Sequence, residues 1–470
     1  MESLIKSFDR ALLSEAEGLR TNGRLLIPFV VSQSNHEWNQ LIQIFSNPRI
    51  MKCLAASLCW LLFFSVSLAS AREFTVHPGD SVAAAINTAA KGDTVLVERG
   101  HYPVHLVIAK PLRLKGLNRP TLDGGHTGDV IRIKSPDVVV EGFIISNSGA
   151  DLTAQNAGIY LEPGSDRAVI RNNVINYTLF GLWIEKARDV QVSGNNITGM
   201  RDLASAQRGN GIQLYNSRGA QITDNHISFT RDGIYVDVSD HALFRGNRLH
   251  HLRYGTHYMN SNNNVWEDNE SYLNRGGLAL MEVRNLIVRN NHAWGNSDHG
   301  IMLRTIQDSV IENNIVAGNG RGFFIYDAEY NALLNNLIVG NHIGVHLWAG
   351  SIHNQVEGND LIQNREQIKY VASRDEYWGE KTGNYWSNYV GWDRNGDGIG
   401  DVPYEANDVV DRLTWKYPVV KLLLNSPAVQ TLRLVARQFP LLRATSIVDR
   451  HPRMRPFYRH WSTWLEKQRH

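Results

Sequence analysis

The chain has 470 residues, 43% of them hydrophobic and 20% charged, with a formal net charge of +2 at pH 7. That near balance argues against nucleic acid as the main partner, because phosphate binding calls for a concentrated basic face that the central region lacks. The 39 glycines and the abundant asparagine favour many turns over long helices.

In chain order, the first informative stretch begins at Met51. Lys52 supplies a positive start, Leu54 to Leu68 an apolar core, and Ala69-Ser70-Ala71 a small-residue cleavage pattern, so residues 51–71 are expected to be a secretory signal peptide. The apolar run is short for a bilayer span. Because such signals act at a chain's start, residues 1–50 read as a non-native N-terminal extension. Both cysteines, Cys53 and Cys59, fall inside the leader. An exported chain cut after it has no thiol or disulfide, and its stability must come from its core.

Val82 to Ala90 forms an amphipathic helical segment, followed by a strand from Asp93. A solenoid's open end has to be covered, and this helix is the expected N-terminal cap. From Gly158 a unit then recurs. Its glycines are Gly158, Gly181, Gly211, Gly233, Gly255, Gly277, Gly300, Gly322 and Gly344, and a second register of asparagines runs in step from Asn173 and Asn195 to Asn336 and Asn359. The period is about 22 residues except for one longer step, whose extra residues fall near Met200 to Arg208 and are expected to bulge out as a loop. Segments between turns are β-branched and alternating, and the leucine frame of leucine-rich repeats is missing. The fold expected over residues 72–385 is therefore an all-β, right-handed parallel β-helix in which coils pair at about 4.8 Å and inward Ile, Leu and Val stack into one core. Asparagines at equivalent corners suit left-handed backbone and hydrogen bonding along the stack.

Strand alternation sends the first and third residues after each repeat glycine inward, so the second and fourth form two outer columns. The first contains Tyr235, His257, Ala279, Met302 and Phe324, the second Asp237, Met259, Met281, Arg304 and Tyr326. Aromatics and methionines in register on an exposed face point to a binding surface. At its centre His257, Met259, Met281, His299 and Met302 combine thioether and imidazole, a donor set suited to copper(I). Contact residues beneath a partner protein or loop are the other reading, since methionine is common at adaptable surfaces. Glu162 and Glu185, neighbours in the second column, match the carboxylate spacing of retaining glycosidases and support a secreted carbohydrate-active lyase or hydrolase as the alternative.

Residues 386–418 are expected to close the solenoid with an Asp/Gly-rich loop. Within it Asp393, Asn395, Asp397, Ile399 and Asp401 follow the start of an EF-hand-like calcium loop, with Gly398 at the turn. Its twelfth position is Tyr404, so a bidentate ligand has to come from elsewhere, with Asp408 and Asp411 the candidates; a Gly/Asp turn without an ion is the other reading. Residues 419–470 form a basic tail. Ser426-Pro427 starts a helix there, with Val429, Leu432, Val435 and Phe439 on one face: a partner-docking helix, a membrane-surface helix or a C-terminal cap.

Asn384-Tyr-Trp together with Asp397-Gly-Ile-Gly-Asp-Val-Pro-Tyr404 resembles the closing segment of the NosD family, within the pectate-lyase-like β-helix superfamily, and the resemblance extends from Arg72 to about Pro418. It implies a non-enzymatic periplasmic protein for maturation of nitrous-oxide reductase. The implied partners are the subunits of an ABC transporter, a copper chaperone and the reductase, with copper as a transient ligand and membrane contact only through the partner. The resemblance supplies no ligand set.

Overall fold

The computed structural model describes residues 71–467, apart from 349, 372–374, 407–409, 411–412, 414–416, 424–425 and 439–445. Residues 51–70 of the leader expected over 51–71, its two cysteines and residues 1–50 lie outside the described residues, as do Asp408, Asp411 and Phe439.

Every coil contributes up to three short strands, and these assemble into three parallel sheets of 13, 12 and 13 strands. Register follows the repeat: Ile234 pairs with Thr256, Thr256 with Leu278, and Leu278 with Ile301. Alternation decides which side chains enter the core, as in strand Asp232–Asp237, where Ile234 and Val236 are fully buried while Tyr235 and Asp237 keep partial exposure. Stacked rungs then fill one continuous interior. Phe244 lies flat on Trp266 with ring centroids 4.0 Å apart, and each such fully buried large side chain stabilises by about 2 kcal/mol relative to exposure. Near the start, helix Val82–Thr88 buries Val82 and Ile86 and packs against the neighbouring strands, its first turn held by Ser81 Oγ accepting from Ala84 N.

The repeat glycines are required by space. A Cβ on Gly277 would stand 2.2 Å from the carbonyl oxygen of Gly300 in the next coil, and one on Gly233 2.5 Å from that of Gly255. Only a hydrogen lets the corners stack at this separation. The asparagine register is a buried ladder. Asn269 donates through its backbone N and through Nδ2 to Asn291 Oδ1, and Asn291 donates in the same way to Asn314. One expectation is corrected here: the ladder asparagines do not take the left-handed backbone. The residue before each does, namely Asn172, Asp224, Asp268, Asn290 and Asn313 with Gly194 and Gly246 among them. The turn needs positive φ at one residue, and that leaves its neighbour free to aim its amide along the stack.

The tail divides. Helix Pro427–Gln438 forms as expected and buries Val429. Beyond it, strand Ile447–Asp449 pairs parallel to Glu376–Trp378 and antiparallel to Tyr404–Glu405. Residues 453–467 then run back over the solenoid, where Tyr458, Trp461, Trp464 and Leu465 cover Ala317, Leu337, Val339 and Ile362. This part of the tail is therefore a cover on the coils rather than a free docking element. No helix among the described residues is long and apolar enough to cross a membrane.

Candidate functional site

The two outer columns lie where alternation puts them. His257 pairs with Ala279 and Ala279 with Met302, while Met259 pairs with Met281 and Met281 with Arg304. The methionines point away from the main core and make a separate cluster: Met281 and Met302 close over Ala279, joined by Met259, Tyr254 and Phe324. The small side chain of Ala279 leaves the space that brings three thioethers together.

The surface is more closed than the sequence suggests. Met281 is 8% and Met302 9% exposed, and Tyr160, Trp183 and His346 are similarly covered. Large side chains repeated every 4.8 Å shield one another even when they point outward. Open exposure along the columns is limited to residues such as Tyr215, Arg304 and Trp348.

His257 is held from behind. Its Nδ1 lies 3.0 Å from Asp232 Oδ2, and Arg253 pairs with the same carboxylate. Burial pushes the Asp232 carboxyl up, but hydrogen bonds from His257 and Arg253 outweigh it and hold the pKa below the ordinary value. Asp232 and Arg253 both reach His257 Nδ1, which fixes the ring with Nε2 on the side away from them, much as carboxylates orient metal-ligating histidines. Tyr235 presents its ring edge to His257 and its hydroxyl to Met259 Sδ at 3.8 Å.

His299 is 1% exposed, and neither ring nitrogen has a hydrogen-bond partner. Asp298 Oδ2 stands 3.6 Å from Nδ1, too far for a hydrogen bond. Burial lowers the His299 pKa, against the opposing pull of Asp298, so the ring is neutral with a free lone pair. The ring fits because position 276 is glycine: a Cβ there would lie 2.5 Å from Nε2. Tyr254 sits between the two histidines, its ring centroid 5.5 Å from that of His257 and 5.6 Å from that of His299.

Asp232, Arg253 and Tyr254 were missed by counting only positions after each glycine. The residues just before it form a column of their own, in which Asp232, Tyr254, Gly276, His299 and Arg321 pair in succession. The same 22-residue register, read one place earlier, contains that signal.

A family model described as "Periplasmic copper-binding protein (NosD)" matches residues 193–391. A "Probable ABC transporter binding protein NosD" from Pseudomonas aeruginosa is 41% identical over 371 residues, covering 76% of this chain and 87% of that protein. The chain belongs to the NosD family. A second relative of the same description, from Stutzerimonas stutzeri, is 40% identical over 372 residues, covering 76% of this chain and 85% of that protein. Among solved structures, the A-module of mannuronan C-5 epimerase AlgE6 from Azotobacter vinelandii matches 65% of this NosD-family chain and 88% of its own at 17% identity, with a TM-score of 0.43. PfbA, a surface adhesin of Streptococcus pneumoniae, matches 62% of this chain and 87% of its own at 12% identity, with a TM-score of 0.48.

Among the described residues of this NosD-family chain, no group of three or more His, Cys, Asp or Glu side chains is arranged to hold a metal ion. In the Asp/Gly-rich loop the oxygens are committed to the loop itself: Asp393 accepts from Gly396 N and Gly398 N, Asp397 from Ile399 N and Asn395 Nδ2, and Asp401 from Arg394 N. Tyr404 at the twelfth position stacks on Trp386 at 4.1 Å.

The paired acids are likewise occupied. Glu162 binds Arg132 and Lys134, and Glu185 accepts from Tyr160 Oη at 2.8 Å. Burial and then the Glu185 carboxylate push the Tyr160 hydroxyl above its ordinary range, so it stays protonated and remains a donor.

Proposed function

We propose that the chain is a periplasmic accessory protein for copper-site maturation of nitrous-oxide reductase, working beside an ABC transporter as a scaffold that binds copper or a copper-carrying partner. The observation that carries the reading is the meeting of Met259, Met281 and Met302 in one cluster outside the core, bordered by His257 and His299. Soft thioethers together with imidazole favour copper(I) over zinc or calcium. The family's description as copper-binding and the relatives' description as ABC transporter binding proteins support it.

In this reading copper is cargo. Tyr254 and Phe324 cover the sulfurs, the Asp232 carboxylate orients His257, and the dry setting keeps His299 unprotonated. Calcium in the Asp393–Asp401 loop is a separate proposal, tested by whether calcium raises the thermal midpoint.

The copper test replaces Met259, Met281 and Met302 together by Leu, which keeps volume and removes sulfur. Copper(I) affinity, measured against a competing chelator, is expected to fall at least tenfold while the circular dichroism spectrum is unchanged. An unaltered affinity overturns the assignment.

A further inference from the structure

On several faces of this solenoid, arginines are answered by acids on neighbouring coils. Arg167 pairs with Asp137, Arg171 with Glu141, and Glu267 lies between Arg245 and Arg289 on the coils either side. This is what a ladder at about 4.8 Å spacing requires, because like charges directly opposite destabilise a sheet. One corner carries three arginines in a row. Arg231, Arg253 and Arg275 occupy it in three successive coils, joined by backbone hydrogen bonds from Arg253 N to Arg231 O and from Gly276 N to Arg253 O. Asp232 answers Arg253 alone. Among the described residues, the guanidinium groups of Arg231 and Arg275 have no ion-pair or hydrogen-bond partner.

These side chains line a groove of about 490 Å³. Its far wall comes from the extra residues of the one long repeat, where Ser205–Gln207 form a single 3-10 turn. Arg208 fixes that wall by donating to the carbonyls of Leu203, Phe229 and Arg201. His251 and the buried Leu252 complete the lining.

The geometry points to this groove as the docking site for an acidic segment of a partner protein, lying extended along the solenoid axis. Unpaired guanidinium groups bind carboxylates as forks through two parallel hydrogen bonds. The two free ones, Arg231 and Arg275, stand two coils apart, about 10 Å, with the Asp232-paired Arg253 between them, and same-side residues of an extended chain recur every 7 Å or so. A free oxyanion would use one coil; the column suits a chain with several carboxylates. The aliphatic stems of the arginines offer apolar contact between the charges, which a bare ion does not use. Arg253 is shared between the groove and the Asp232–His257 pair, so a docked segment lies beside the methionine cluster. The inference stands on the charge pattern and does not depend on copper.

The probe is a fluorescein-labelled hexaglutamate peptide, followed by anisotropy against the full chain without copper. Binding is expected at 50 mM NaCl, weakening steeply by 200 mM as screening increases. Arg231→Gln with Arg275→Gln is expected to weaken it at least tenfold. Arg167→Gln with Arg289→Gln removes the same charge from other faces and is expected to leave it within twofold, both variants being checked for native circular dichroism. No binding at 50 mM salt, or equal losses in the two double variants, overturns the proposal. So does displacement of the peptide by inorganic phosphate at the same concentration of charge, which assigns the groove to free oxyanions.

Discussion

Asn384 donates through both its backbone N and its Nδ2 to Asp449 Oδ2, at 2.9 and 3.0 Å. The asparagine ladder thus ends on a carboxylate delivered by the returning tail, 65 residues later in the chain. Trp386 Nε1 donates to the same oxygen at 2.8 Å. Every lower rung hands its donors to the next asparagine; the last rung has no following coil and borrows its acceptor.

Asp449 is fully buried, and burial pushes its carboxyl up against the hydrogen bonds from Trp386, Asn384 and His451. Asp449→Ala leaves three buried donors without an acceptor, each costing about 1–3 kcal/mol, so a loss of about 3 kcal/mol or more is expected at this end. Asp449→Asn keeps an oxygen for Asn384 and Trp386 and is expected to cost about 1 kcal/mol through the lost bond to His451 N. Denaturant titration followed by tryptophan fluorescence distinguishes the two; equal effects would mean that the carboxylate does not close the ladder.

Gly277→Ala is expected to destabilise by about 3 kcal/mol, since an added methyl at a packed corner forces backbone shifts. Its Cβ would lie 2.2 Å from Gly300 O, and backbone atoms cannot swing aside. Gly396 has open space around its Cβ position and a φ of +77°, so Gly396→Ala costs only conformational strain, about 1 kcal/mol. Chemical denaturation of the two variants orders them.

The coil and its period were legible because spacing alone fixes them: Gly255, Gly277 and Gly300 recur in step, and so do the ladder asparagines. The orientation of Met259 and Met281 followed from alternation. What the sequence hid is contact that crosses the repeat. Nothing local in Asp449 marks it as the ladder's last acceptor, because its partner Asn384 is a whole tail away. The covering of Met281 and Met302 was illegible for another reason: alternation tells inside from outside, whereas exposure depends on neighbours such as Tyr254 and Phe324 that lie on other rungs. Arg231 and Arg275 were visible as charges, but their lack of partners emerges only once the other columns have been paired.

Histidines make the fold sensitive to acid. Burial and then the neighbouring His226 and His251 lower the His250 pKa to about 4, and burial with Lys369 and Arg321 lowers that of His346 to about 4. In the unfolded chain these rings take up protons near pH 6.5. Between pH 6.5 and 4 the unfolded state therefore binds more protons, and stability, complete above this interval, is lost as pH falls through it. The thermal midpoint is expected to drop from pH 7 to pH 5. His250→Gln removes one of the groups and is expected to flatten that slope; a slope unchanged in the variant would place the sensitivity elsewhere.

Asp232 serves two neighbours at once, and a single substitution separates its roles from those of the methionines. The carboxylate is fully buried between Arg253 and His257. Asp232→Asn preserves shape but leaves the partly exposed Arg253 charge without its counterion, and losing a hydrogen bond to a charged group costs about 1.5–3 kcal/mol. It also frees the His257 ring to turn; loss of such an orienting carboxylate lowers metal affinity about 10–100-fold. Denaturant stability and copper(I) competition are measured on the same preparation. If stability falls and copper affinity does not, His257 is a structural partner of Asp232 and the sulfurs act without it. If both fall, and adding Met302→Leu lowers the affinity by less than that substitution does alone, imidazole and thioether share one ion.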